Sequence, residues 1–165
     1  MKLRSIAGVF MAGMVFTAVG TYTAQAAPPP NPGPPSVEVT VPDAGPAGAT
    51  ASCVVYASKP NHSGSSMTGT GGFESCSGGP AACNSEVDLE FYNNFSGMWM
   101  TAATSARQYK CAPPLRSTTA KGTCTNHPGD PNVGWRTATL GTIVSTNGSS
   151  DSRTAYSPVL YVPCA

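Results

Sequence analysis

GTGGFESCSGGPAACNSEVDLEFY, residues 69–92, carries the reading that decides the fold. It joins a glycine-rich piece with two cysteines, Cys76 and Cys83, to an alternation of acidic and apolar residues. Side chains of a strand point alternately to its two faces, so Val87, Leu89 and Phe91 fall on one side and Glu86, Asp88, Glu90 and Tyr92 on the other. That is the pattern of a half-buried strand with one wet face. Gly78, Gly79 and Pro80 between the cysteines are turn residues.

The chain then turns through Asn93-Asn94-Phe95-Ser96-Gly97 into Met98-Trp99-Met100-Thr101, which predicts a hairpin with a loop of about five residues. The register of the return strand sets the place of Trp99. If Met98, Met100 and Ala102 share the core face, Trp99 stands outward beside Tyr92 and three carboxylates. A slip of one residue puts Trp99 in the core, the commoner place for a tryptophan.

Further candidate strands cover 37–41, 51–58, 65–75, 98–108, 115–123, 133–145 and 154–163. They are short, rich in Val, Thr and Tyr, and separated by Gly, Pro, Asn and Ser clusters. No window keeps a helical apolar period with caps at both ends. The expected fold is all-β, an antiparallel β-sandwich, immunoglobulin-like or related, with three disulfides.

The N-terminus reads as an export signal. Lys2 and Arg4 precede an uncharged apolar run from Ile6 to Val19, and Ala24-Gln25-Ala26 ends the segment. The run is shorter than the ~20 residues of a membrane span. Cleavage after Ala26 is expected, giving a secreted, extracellular protein. Residues 27–50 then form a Pro/Gly-rich lead, an extended spacer interrupted by the alternating piece VEVTV, and 51–165 form one disulfide-stapled β domain. Without residues 1–26, seven basic residues face eight acidic ones. No basic block remains, which argues against nucleic acid as a partner, and no membrane insertion is expected.

All six cysteines, Cys53, Cys76, Cys83, Cys111, Cys124 and Cys164, follow the signal. An even count in an exported chain reads as disulfides, and six cysteines allow 15 pairings. Closing neighbours and then the ends gives Cys76–Cys83, Cys111–Cys124 and Cys53–Cys164. On the chain-entropy model a loop of about 100 residues is worth about 4–5 kcal/mol. No CxxC pair occurs, and neither His62 nor His127 sits at zinc-ligand spacing from two cysteines, so neither a metal nor a cofactor is expected.

The set GxGGFESC, CNxEVDLExY, GxW, GWRTATLGTIV and SPVLYVPC resembles small secreted actinobacterial proteins of no known activity, over roughly residues 51–165. The resemblance implies export, disulfides and a β-sandwich-like domain. It brings no catalytic residues.

The outward face of the alternating strand has three functional readings. Carboxylates two apart on a strand have Cα atoms roughly 6.5–7 Å apart, compatible with a glycosidase pair, but a strand face is not a cleft. The same row could offer oxygens to Ca²⁺, although the pattern D-x-D-x-D-G is absent. Tyr92 and Trp99, with Glu86, Asp88 and Glu90, could form a platform for a cell-surface polysaccharide or an extracellular protein.

Elsewhere, Cys111-Ala-Pro-Pro-Leu-Arg116 could hold a rigid loop, as a protease inhibitor needs, with Leu115 or Arg116 entering a specificity pocket. There is no G-x-S-x-G, and His62 and His127 sit in turn-like contexts. Asn61, Asn94 and Asn147 head glycan-acceptor triplets. The expected function is a secreted, non-catalytic binding or surface-interaction protein. A protease inhibitor is the alternative, and a glycan-active enzyme stands third.

Overall fold

The computed structural model describes residues 33–43, 50–124 and 132–164. Residues 1–26, where an export signal is expected, the prolines before Gly33 and His127 lie outside the described residues. The described residues form ten strands: β1 (Ser36–Pro42), β2 (Thr50–Ala57), β3 (Asn61–Ser63), β4 (Ser66–Ser77), β5 (Ala82–Asn93), β6 (Met98–Thr104), β7 (Arg116–Thr123), β8 (Val133–Val144), β9 (Ser150–Tyr156) and β10 (Leu160–Val162). They form two antiparallel sheets packed as a sandwich. In sheet one the order is β1-β2-β4-β3, and β7 pairs with the other edge of β4. In sheet two the order is β10-β8-β5-β6, and β9 continues the line of β10 along β8.

The alternation of residues 85–91 does what the pleat requires. Ser85, Val87 and Leu89 are fully buried, while Glu86, Asp88 and Glu90 face the solvent side. Across β8 the same inner row continues as Trp135, Thr137, Thr139 and Ile143. The apolar interior has two parts. Val39, Val41, Val55, Phe73 and Ile143 pack together at one end. Met67, Val87, Leu89, Val133 and Trp135 pack at the other. Burying a side chain of this size is worth about 1.5–3 kcal/mol. Between the two parts β4 carries Gly69 and Gly71. A Cβ on Gly69 would stand 2.7 Å from Thr137 Oγ1, and one on Gly71 would overlap Thr139 Oγ1. The sheets approach this closely because β4 has no side chains there.

β1 covers the strand expected at 37–41, the alternating piece that interrupts the Pro/Gly-rich lead. Val39 and Val41 are core residues, so the packed domain takes in Ser36–Pro42. The prolines just before it are tied down. The carbonyl of Pro34 accepts from Tyr156 N at 3.0 Å, and that of Pro35 from Ala57 N at 2.9 Å. One bond reaches each sheet.

The disulfides correct the expected pairing. They are Cys53–Cys76, Cys83–Cys111 and Cys124–Cys164, and no described cysteine is free. Cys53 and Cys76 face each other in register across β2 and β4, which takes Cys76 from Cys83 and Cys53 from Cys164. Between Cys76 and Cys83 the chain also crosses from sheet one to sheet two. Cys111 and Cys124 flank the eight-residue strand β7, whose extended length of roughly 26 Å holds them apart. The second and third bonds cross between the sheets: Cys83 of β5 to the loop before β7, and the end of β7 to the segment after β10. The Sγ atoms of Cys53, Cys76 and Cys83 lie within 4.8 Å of one another, but all three belong to these bonds. The cluster is two adjacent disulfides.

His62 differs from its turn-like reading. It lies in β3 opposite Met67, half-buried. Its strand is three residues long, too short to show a period in the sequence.

Candidate binding face

The β5–β6 hairpin settles the place of Trp99. Asn93 closes the turn: its side-chain oxygen accepts from the backbone N–H groups of Phe95 and Ser96, and its carbonyl accepts from Gly97. Gly97 has φ 68°, which suits glycine at the end of such a turn. Tyr92 then pairs with Trp99, Phe91 with Met100 and Asn93 with Met98. Paired residues share a face, so Trp99 stands outward with Tyr92, and the buried placement is corrected. The register shifts by one further along, where Leu89 pairs with Ala103 and Glu90 with Thr101. Ala102 is the extra residue of this bulge. Ala103, rather than Ala102, therefore packs against the core.

Arg136 of β8 organises the outer face of sheet two. It sits opposite Glu90, and its Nε lies 2.6 Å from Glu90 Oε2. Its guanidinium lies over two aromatic rings, with Cζ 4.2 Å from the centre of Trp99 and 4.3 Å from the centre of Tyr156. Tyr92 meets Trp99 edge-on at 5.3 Å. Outward-facing neighbours of Arg136 on its own strand are Gly134 and Ala138, small residues that leave room for rings reaching over from adjacent strands. The result is a ladder, Tyr92–Trp99–Arg136–Tyr156, running across sheet two. Tyr161 pairs with Gly134 and stands beside it, 51% exposed. Burial, and secondarily the nearby Tyr92, raises the Tyr161 pKa above its ordinary value of 10.0.

The three expected carboxylates are all engaged. Glu86 pairs with Arg107 at 2.9 Å, Asp88 accepts from the Thr104 hydroxyl at 2.5 Å, and Glu90 holds Arg136. In each carboxylate one oxygen is held by a protein partner: Glu86 Oε2, Asp88 Oδ1 and Glu90 Oε2. The Trp99 indole nitrogen is buried and has no hydrogen-bond partner.

At the loop before β7 the two expected residues part company. Leu115 is 59% exposed. Arg116 begins β7 opposite Phe73, and its Nε turns back to donate to the Cys111 carbonyl at 3.1 Å.

The sequence reading puts Tyr92 and Glu90 on one outward face, leaves the register of Trp99 open, and does not point to Arg136, Tyr156 or Tyr161. The alternation Gly134-Arg136-Ala138 opposite Trp135-Thr137 marks Arg136 as outward. That it lands on Trp99 follows only from the β5–β8 and β5–β6 registers, which residues distant in the chain determine.

No family model, curated protein or solved structure matches this chain. What can be said of its role rests on the face itself.

Proposed function

We propose that the protein is a secreted, non-catalytic binding module whose outer face on sheet two engages a cell-surface polysaccharide or an extracellular protein. The observation that carries this reading is the ladder of Tyr92, Trp99 and Tyr156 assembled on Arg136, with Tyr161 exposed alongside. Rings fixed by neighbours lose little entropy on binding, and they offer an apolar body with a polar edge. Of the carboxylates around them, Glu86 and Glu90 are paired with Arg107 and Arg136, and Asp88 accepts from the Thr104 hydroxyl. Three disulfides fit an oxidising, extracellular setting.

Co-sedimentation of the mature chain with insoluble cell-wall polysaccharide tests the reading. Saturable pelleting is expected, and Tyr161→Ala should weaken it about tenfold, the loss of about 1.4 kcal/mol. A protein that stays in the supernatant, or a Tyr161→Ala variant that pellets like the parent, counts against this face.

A second reading keeps one observation in its favour. The exposed Leu115 sits on a short loop that Cys83–Cys111 holds at one end. As a secreted protease inhibitor the protein would present Leu115, not the tied-back Arg116.

A further inference from the structure

The sandwich has four long edges, and three are guarded. β1 carries Glu38 and is bracketed by Pro34, Pro35 and Pro42. β7 carries Arg116 and Lys121. β9 carries Asp151 and Arg153, and Pro158 separates it from β10. Charges and prolines of this kind keep edge strands from pairing with other chains.

β6 is the exception. It is the end strand of sheet two and pairs only with β5 among the described residues. No residue from Phe91 to Ala106 is charged, and none is proline. Met98 and Met100 point to the core side of sheet two yet are 60% and 44% exposed. Phe95, at the hairpin tip beside them, is fully exposed. The guard on this edge among the described residues is the bulge at Ala102, and Met98–Thr101 lie before it in unbroken register with β5.

We propose that β6 is the interface for a second copy of this chain, joined edge to edge by antiparallel pairing of the Met98–Thr101 segments. A row of free backbone N–H and C=O groups calls for a strand as its occupant. The β6 strand itself satisfies the chemistry on both sides. It carries no charge to repel its own image, and methionines meeting methionines bury the apolar surface that each copy leaves open. A two-fold axis normal to the sheet makes sheet two continuous across both protomers. Both outer faces then point the same way, and the two aromatic ladders lie side by side.

Sedimentation equilibrium of the mature chain, combined with hydrogen exchange at several concentrations, tests this. The expected result is a concentration-dependent dimer in which the amides of Met98–Thr101 become protected as it forms. Met100→Lys, which adds charge at an exposed position, should return the protein to a monomer with unchanged exchange in β5 and β8. A parent protein that stays monomeric at every concentration overturns the proposal. So does a dimer in which Met98–Thr101 exchange as fast as in the monomer. Open-ended assembly in place of a dimer overturns the two-fold arrangement. None of these outcomes depends on whether the aromatic face binds polysaccharide.

Discussion

On the outer face of sheet one, short hydroxyls meet across the strands: Ser52 with Ser77 at 3.1 Å and Thr70 with Thr119 at 2.9 Å. On the outer face of sheet two, rings, a guanidinium and carboxylates lock together around Arg136. Both faces belong to half-buried strands of one sandwich, and both satisfy the alternation that keeps a sheet soluble. The hydroxyl face spends small, well-hydrated groups on cross-strand pairs worth only a few tenths of a kcal/mol to about 1 kcal/mol each. The aromatic face keeps large apolar surface near water and then has to neutralise the charges that hold it in place. Solubility alone accounts for the first face. It does not call for the second.

The largest test of this contrast is Arg136→Ala. It removes a cation from between two rings and leaves Glu90, whose side chain is 16% exposed, without its partner. A loss of about 2–3 kcal/mol in urea unfolding is expected. A loss no greater than about 0.5 kcal/mol would mean that the two faces are energetically alike.

Thr119→Val is the matched change on sheet one. Valine keeps the shape and the strand preference while removing one member of a solvent-exposed hydroxyl pair. Stability within about 0.5 kcal/mol of the parent is expected from the same unfolding assay. A cost equal to that of Arg136→Ala would erase the distinction.

The smallest effect concerns pH. The Tyr161 pKa is raised in the folded protein, so folding favours the neutral phenol. Its contribution is fully present below the unfolded value of 10.0 and is lost as pH rises through the folded value. Tyr161→Phe should therefore flatten part of the fall in stability above pH 10, measured by urea midpoints across alkaline pH. The Tyr56 pKa on sheet one is also raised, chiefly by burial, so Tyr56 adds to the same fall. An unchanged slope in Tyr161→Phe would mean that burial of this phenol on folding costs nothing.

Much of the architecture was legible because alternation is a local signal. Residues 85–91 and 133–144 announce their faces without reference to any partner. What escaped depends on partners. β3 is three residues long and exists as the return of a hairpin onto Met67. The final strand reads as one run, but the chain leaves the line at Ser157, whose hydroxyl accepts from Thr137 N at 2.8 Å. The disulfides follow strand register, which places Cys53 against Cys76 and which spacing along the chain does not encode. The binding face divides in the same way. Tyr92 and Glu90 follow from alternation and Trp99 from a register left open, whereas Arg136, Tyr156 and Tyr161 arrive from strands remote in sequence.

The cysteine connectivity has a consequence for how the chain is made. Numbered along the chain, the cysteines join first to second, third to fourth and fifth to sixth. A polypeptide that threads N-terminus first into an oxidising compartment thus meets each correct partner as the next thiol to arrive. No cysteine has to wait past a wrong candidate, and no early bond has to be undone to complete a later one. The maturation of this domain can proceed in the order of synthesis, with oxidation alone and without a disulfide-reshuffling enzyme.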